Sequence, residues 1–129
     1  MNKKTVEKML PKALDTLRDP HCVIEKGGKI NKSYRSSISS FGAAVAMGSF
    51  RAAVAFFSKD AEKGSGISRS ALLVALDHLC SADPNHWQTA EQICAQVLQT
   101  PDDELRLTQD RYLHAAVALK LAMNAFELV

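Results

Sequence analysis

The amino-acid sequence predicts an all-α protein, a compact single-domain bundle of about six helices that spans residues 1–129. Apolar residues recur in steps of three or four along most of the chain, which is the period of an amphipathic helix. The composition, with 47% hydrophobic residues and only six glycines and four prolines, is typical of a globular protein built from long regular elements. Only the segment "HCVIE" is rich in strand-forming residues, and it is too short to found a sheet.

The first half of the chain divides into three predicted helices. Helix one runs from about Lys3 to Arg18, and Pro11 inside it should bend the helix or mark a restart. The linker "DPHCVIEKGG" ends in two glycines that suit a turn. Helix two is the stretch "GGKINKSYRSSISSFGAAV", residues 27–45, and it closes near Gly48. A short third helix directs three apolar residues inward: Phe50, Val54 and Phe57.

Two further helices are predicted in the middle of the second half. The segment "KDAEKGSG", residues 59–66, is polar and glycine-bearing, so we expect a mobile loop there. Helix four runs from about Ser68 to Cys80. It buries four leucines: Leu72, Leu73, Leu76 and Leu79. Helix five opens with Thr89, and Gln92 three residues later completes a capping-box pattern.

Helix six has the strongest start signal in the sequence. Thr100 is the predicted cap, Pro101 takes the first helical position, and the acidic residues 102–104 interact favourably with the positive end of the helix dipole. The helix is predicted to continue to the last residues of the chain. Its inward-facing residues are Leu105, Tyr112, Ala116, Leu119, Met123 and Phe126.

The sequence lacks the residue patterns that several classes of function require. The basic first residues lead into no apolar run, and the longest uncharged stretch, residues 36–50, is too short and polar to span a bilayer. Three cysteines without a CxxC pair fit free thiols in a reducing compartment, so we expect a cytoplasmic protein. The histidines and cysteines lack metal-ligand spacing, and no phosphate-binding glycine loop or nucleophile elbow occurs. We therefore expect no enzyme, no metal, no cofactor and no membrane partner.

Charge is divided unevenly along the chain. Residues 1–70 carry thirteen Lys and Arg against six Asp and Glu, a net charge of 13 − 6 = +7. Residues 71–129 carry three against eight, a net charge of 3 − 8 = −5. This asymmetry indicates a nucleic acid or another acidic partner for the basic half. It also permits a head-to-tail contact between copies, which builds open stacks.

Helix two carries cations where a helix normally repels them. Lys29, Lys32 and Arg35 fall in its predicted first two turns, where backbone N–H groups and the helix dipole already present positive charge. Serine hydroxyls occupy the same turns. Amides, cations and hydroxyls that converge on one helix end are typical of phosphate binding, so we expect a nucleic-acid backbone at this end.

A second basic stripe lies on helix one, where lysines recur every four residues nearly opposite the apolar stripe. An ordinary solvent-exposed face would have the same pattern, so both interpretations stay open for this helix. The candidate nucleic-acid-binding residues are Lys8, Lys12, Lys29, Lys32, Arg35 and Arg51.

The segment "GKINKSYRSSISSFGAAVAMGSFRAAVAFFS", residues 28–58, carries a family resemblance. Its Tyr-Arg-Ser, Ser-Phe-Gly-Ala and terminal Phe-Phe make it similar to the signature region of the small helical subunit of type III-B CRISPR effector complexes, the Cmr small subunit. The opening "VEKMLPKAL" and the alanine-rich final helix also suit that family, so the resemblance covers most of the chain.

The resemblance implies a non-catalytic small subunit of an RNA-guided, RNA-targeting ribonucleoprotein. Its implied partners are the backbone of the crRNA and target RNA, the CRISPR backbone subunit, the large polymerase-like subunit, and further copies of itself in a stack along the duplex. RNA cleavage and nucleotide-messenger synthesis belong to the other subunits. From the residues alone, two other classes stay open: a helical DNA-binding regulator and a protein-interaction adaptor.

Overall fold

The computed structural model describes residues 2–60 and 67–129, so most of the loop predicted at 59–66 lies outside the described residues. Within these ranges the chain forms six α-helices, and the all-α prediction is confirmed. They are α1 (Lys3–Arg18), α2 (Ser33–Met47), α3 (Phe50–Phe57), α4 (Arg69–Cys80), α5 (Ala90–Gln99) and α6 (Asp102–Ala122).

A small sheet accompanies the helices. Its strands are β1 (Glu25–Lys26), β2 (Lys29–Ile30) and β3 (Glu127–Leu128). β1 and β2 form an antiparallel hairpin, and β3 pairs with β2 in parallel. Gly27 and Gly28, between β1 and β2, have φ angles of 59° and 81°. Glycine adopts this left-handed backbone without steric cost, so the predicted glycine turn is confirmed.

The prediction that helix two includes the residues just after this turn is wrong. Lys29 and Ile30 lie in β2, and α2 begins only at Ser33. Ile30 satisfied the helical spacing, but it is fully buried through strand pairing with Leu128. Leu128 is far from Ile30 in sequence, so the spacing of the apolar residues around Ile30 does not reveal this pairing.

Both ends of helix six also differ from prediction. Thr100 does not cap it, because its hydroxyl donates to the carbonyl of Gln96 (2.8 Å) at the end of α5. The carbonyl of Pro101 accepts the first bonds of α6, from the amides of Glu104 (3.1 Å) and Leu105 (2.9 Å). The helix ends at Ala122, followed by a 3-10 turn over Met123–Ala125 and then β3.

Helix ends that carry a local sequence signal lie where the sequence predicts them. α1 has the predicted bounds and continues through Pro11 without interruption. The capping box of α5 is present: the hydroxyl of Thr89 accepts from the amide of Gln92 (3.2 Å), and the Gln92 side chain accepts from the amide of Thr89 (2.9 Å). Phe50, Val54 and Phe57 on α3 are buried, as predicted.

The core is centred on α6, which packs along α1 and also contacts α2 and α4. Tyr112 of α6 meets Phe50 edge-to-face with ring centroids 5.1 Å apart, and it lies 6.4 Å from Phe41. Its hydroxyl donates to Asp77 on α4 at 2.8 Å. Burial, followed by the nearby Asp77 carboxylate, raises the pKa of Tyr112. Tyr112 therefore stays protonated and joins four helices.

The chain supplies its own anion to the start of α4. One carboxylate oxygen of Asp60 accepts the amide of Ser70 at 2.9 Å, and the hydroxyl of Ser68 donates to both carboxylate oxygens. Ser68 in turn caps the amide of Ala71. The hydrogen bond from Ser70 is the main cause that lowers the pKa of Asp60.

Replacing Asp60 tests this cap. A lowered folded-state pKa means that the carboxylate stabilises the protein above its unfolded pKa, and that this contribution disappears as the pH falls through the folded pKa. We expect Asp60→Asn to lower the free energy of unfolding by about 0.3–1 kcal/mol near pH 7 and by less at an acidic pH, where protonation of Asp60 removes the charge from the parent as well. Urea denaturation at both pH values measures this. Asp15→Asn on α1 is the control, and an equal loss at both pH values would contradict a role for the charge.

Candidate nucleic-acid interface

The first amides of α2 already have acceptors within the chain. The amide of Lys32 donates to the carbonyl of Val129 at 3.2 Å, next to the β2–β3 pair. The amide of Ser33 donates to the side chain of Asn31 (2.9 Å), and that of Tyr34 to the Asn31 carbonyl (3.0 Å). The backbone at this helix end is therefore occupied, and any anion bound here must be held by side chains.

The three basic residues at this end differ in their environment. Lys29 on β2 is exposed, and its register partner on β3 is Glu127, which offsets part of its charge. Lys32 is exposed at the N-cap position of α2. Arg35 is half-buried, and its Nε is buried without a hydrogen-bond partner among the described residues. An unpaired buried donor is unusual in a folded protein.

The serines of α2 bond within their own helix. The hydroxyl of Ser39 donates to the carbonyl of Arg35 (3.3 Å), and that of Ser40 to the carbonyl of Ser36 (3.0 Å). Such bonds to the preceding turn use the single hydroxyl proton. These two serines therefore give α2 a polar, short-chained face, and the cations beside them are the groups able to hold a phosphate.

Lys120 is a basic neighbour that sequence reasoning missed. It lies on α6, in the acidic half of the chain, and its Nζ donates to the hydroxyl of Ser39 at 2.6 Å. The one sequence signal for its position is that it follows Leu119, a predicted inward-facing residue, which places Lys120 at the edge of the core. We use the name α2 basic surface for Lys29, Lys32, Arg35 and Lys120.

The start of α4 lies close to the start of α2, and the end of α3 lies beside the middle of α2. The hydroxyl of Tyr34 accepts the amide of Ser68, just before α4, at 2.9 Å. α3 folds back along α2, so that Phe57 meets Phe41 edge-to-face at 5.3 Å. Arg69 on the first turn of α4 is therefore near this end of the molecule and adds to its positive charge.

The lysines of α1 lie elsewhere. Burial, followed by the charge of Asp77, raises the pKa of Cys80 to about 12, and the positive charges of Arg111 and Lys12 oppose this rise. Lys12 is thus near Cys80 at the end of α4, whereas Tyr34 contacts the start of that helix, about 18 Å away along its axis. Lys8, one turn before Lys12, is exposed on the same helix. The structure does not bring these two lysines onto the α2 basic surface.

Arg51 has partners within the protein. Its Nη2 donates to the carbonyl of Thr100 at 2.6 Å, and its Nη1 lies 2.8 Å from the carboxylate of Asp102. The guanidinium ties α3 to the junction between α5 and α6. A phosphate contact by Arg51 stays a prediction, and such a contact would compete with these bonds.

The histidines contact neighbouring side chains. Trp87 stacks on His78 with centroids 3.8 Å apart and on His21 at 5.1 Å. His86 lies 3.6 Å from Asp77 at a surface pocket of about 200 Å³ between α4, α5 and α6.

Within residues 2–60 and 67–129, no three or more His, Cys, Asp or Glu side chains are grouped to hold a metal. No helix in those ranges is long and apolar enough to cross a membrane.

Comparisons of the chain with protein-family models, curated proteins and solved structures found no match. The resemblance of residues 28–58 to the Cmr small subunit therefore depends on the motifs quoted for it.

Replacing Arg51 tests its structural role. We expect Arg51→Ala to lower the free energy of unfolding by about 1–3 kcal/mol, because the Thr100 carbonyl loses a charged donor. Asp102→Ala should cost less than about 1 kcal/mol, because that carboxylate is largely exposed. Urea denaturation of both variants measures the difference, and an Arg51→Ala variant as stable as the parent would show that the two contacts contribute nothing.

Proposed function

We propose that this protein is a non-catalytic RNA-binding subunit of a ribonucleoprotein, and specifically the small helical subunit of a type III-B CRISPR effector complex that acts in the cytoplasm. The observation that supports this most directly is the α2 basic surface. It joins Lys32, Arg35 and Lys120 at a helix that has no acidic residue of its own. None of these three cations forms a salt bridge within the part of the chain that the structure describes, and such a cluster of positive charge favours a polyanion.

The expected binding mode is contact with the phosphate backbone. Lysine and arginine side chains that neutralise phosphates release counterions and do not distinguish base sequence. The buried, unpaired Nε of Arg35 adds a donor for which a phosphate can serve as acceptor after a change of side-chain rotamer. In the proposed complex, base pairing between crRNA and target supplies specificity, and this subunit supplies affinity along the backbone.

The other functional classes fit the exposed side chains less well. A DNA-binding regulator reads base edges with long polar side chains from a helix in the major groove. The exposed side chains along α2 are mostly short, such as those of Ser36, Ser39 and Ala43. A pure protein-interaction adaptor has no need of uncompensated cations on the same face.

Removing two cations from α2 tests the proposal. We expect Lys32→Ala/Arg35→Ala to weaken binding to random RNA about equally for all sequences. The slope of log affinity against log salt concentration should fall by roughly 0.7 for each lost phosphate contact on single strands. Fluorescence anisotropy at two or more salt concentrations measures both.

The matched control is Arg106→Ala/Arg111→Ala, which removes the same charge from exposed positions on α6. The α2 variant should be as stable as the parent, because cations at the positive end of a helix are unfavourable. Unchanged affinity and slope in the α2 variant would show that this surface does not bind RNA.

Contacts between copies give a further test. If the basic half of one copy meets the acidic half of the next, self-association should weaken as salt screens exposed charges. Replacing the acidic residues 102–104 by their amides should weaken it as well. Sedimentation velocity at low and high salt measures both effects, and association strengthened by salt would favour apolar contacts instead.

A further inference from the structure

Phe56 is a large aromatic residue on the surface of α3. It is 59% exposed, whereas its neighbour Phe57 is buried. The guanidinium carbon of Arg69 lies 4.2 Å from the ring centroid of Phe56, over one face of the ring. Phe57 meets Phe56 edge-to-face with centroids 5.7 Å apart. The ring therefore packs against both Arg69 and Phe57, yet most of the residue stays exposed to solvent.

Arg69 is held in place over the ring. Its Nε donates to the carbonyl of Lys59 at 3.1 Å, just after α3. The nearby carboxylate of Asp60 accepts hydrogen bonds from the hydroxyl of Ser68 and the amide of Ser70 at the start of α4. The terminal nitrogens of Arg69 carry further N–H donors, and the exposed Lys59 adds a second cation beside the ring.

We propose that Phe56, with Arg69 and Lys59, forms a stacking site for an unpaired nucleobase of RNA. This inference deepens the proposed function and depends on it. The base would lie on the open face of Phe56, while Arg69 and Lys59 contact the flanking phosphates. Stacking of bases on aromatic side chains beside cations is a general means of holding single-stranded nucleic acid, and it tolerates any sequence because every base has a π face.

The position of Phe56 fits an RNA that also contacts the α2 basic surface. The end of α3 lies beside α2, and the start of α4 is tied to Tyr34 on the first turn of α2. Bases inside a duplex are already stacked on each other, so the site would take a base that is unpaired or splayed out. Phe and Arg are also enriched in protein interfaces, but lysine is depleted there, so Lys59 beside the ring favours a polyanion over a protein partner.

The experiment compares two variants at Phe56 with one control variant elsewhere. Phe56→Leu keeps an apolar side chain but removes the π face, and Phe56→Trp keeps a π face. We expect Phe56→Leu to weaken binding of single-stranded RNA by roughly 5- to 100-fold, with blunt duplex RNA unaffected. Phe56→Trp should restore binding of single strands. Leu107→Ala, which truncates an equally exposed apolar residue (58%) on α6, is the control.

A direct readout uses single-stranded RNA that contains 2-aminopurine, whose emission falls when the base stacks. The parent protein should quench this emission, and Phe56→Leu should not. If the parent binds RNA and Lys32→Ala/Arg35→Ala weakens it, but Phe56→Leu changes neither affinity nor emission, the stacking site is refuted and the proposed function stands. If the parent binds no RNA, both are refuted. If Phe56→Leu disrupts only self-association, Phe56 belongs to a protein contact and the stacking site is refuted.

Discussion

The fold depends on the environment of Tyr112. Its ring packs against Phe50 of α3 and Phe41 of α2, and its hydroxyl bonds to Asp77 of α4. One side chain on α6 therefore sets the position of the α2–α3 pair relative to α4. Because a buried hydroxyl without a partner is costly, Tyr112 and Asp77 must be placed together, and this requirement constrains the packing of the helices that carry them.

The arrangement of charge at α2 and α4 shows how one protein can treat two helix starts differently. At α4, the carboxylate of Asp60 accepts from the first turn and compensates the helix dipole. At α2, oxygens of Asn31 and Val129 accept from the first amides, and none of the four cations of the α2 basic surface forms a salt bridge among the described residues. The carboxylate of Asp60 thus compensates the start of α4, whereas the cations beside α2 are open to an anionic partner. This difference supports assigning the proposed RNA contact to α2.

Sequence alone predicted the elements whose signals are local. α1, α3 and α4 follow from apolar periodicity, and α5 from the capping box at Thr89, because each signal lies within the element it defines. The three strands were missed because each is only two residues long and β2 pairs with the distant β3, although Gly27 and Gly28 mark the local hairpin between β1 and β2. The predicted helix two was therefore extended back to include Lys29.

The candidate site was predicted only in part for the same reason. Lys32 and Arg35 were found from charge near a helix start, whereas Lys120 approaches α2 only through the tertiary fold. The partners of Arg51 and the cation over Phe56 are likewise contacts between separate elements. A single sequence contains these residues but does not show that the tertiary fold brings them into contact.

The parallel pairing of β2 with β3 has a consequence for the order of folding. Ile30 and Leu128 are register partners, so the pair closes a loop that contains every helix from α2 to α6. Such closure is entropically unfavourable until intervening helices have brought the strands together. The amide of Lys32 receives its acceptor, the carbonyl of Val129, only when β3 docks. The helix start that carries the basic surface is therefore completed late in folding, and an incompletely folded chain presents its lysines without the backbone that orients them.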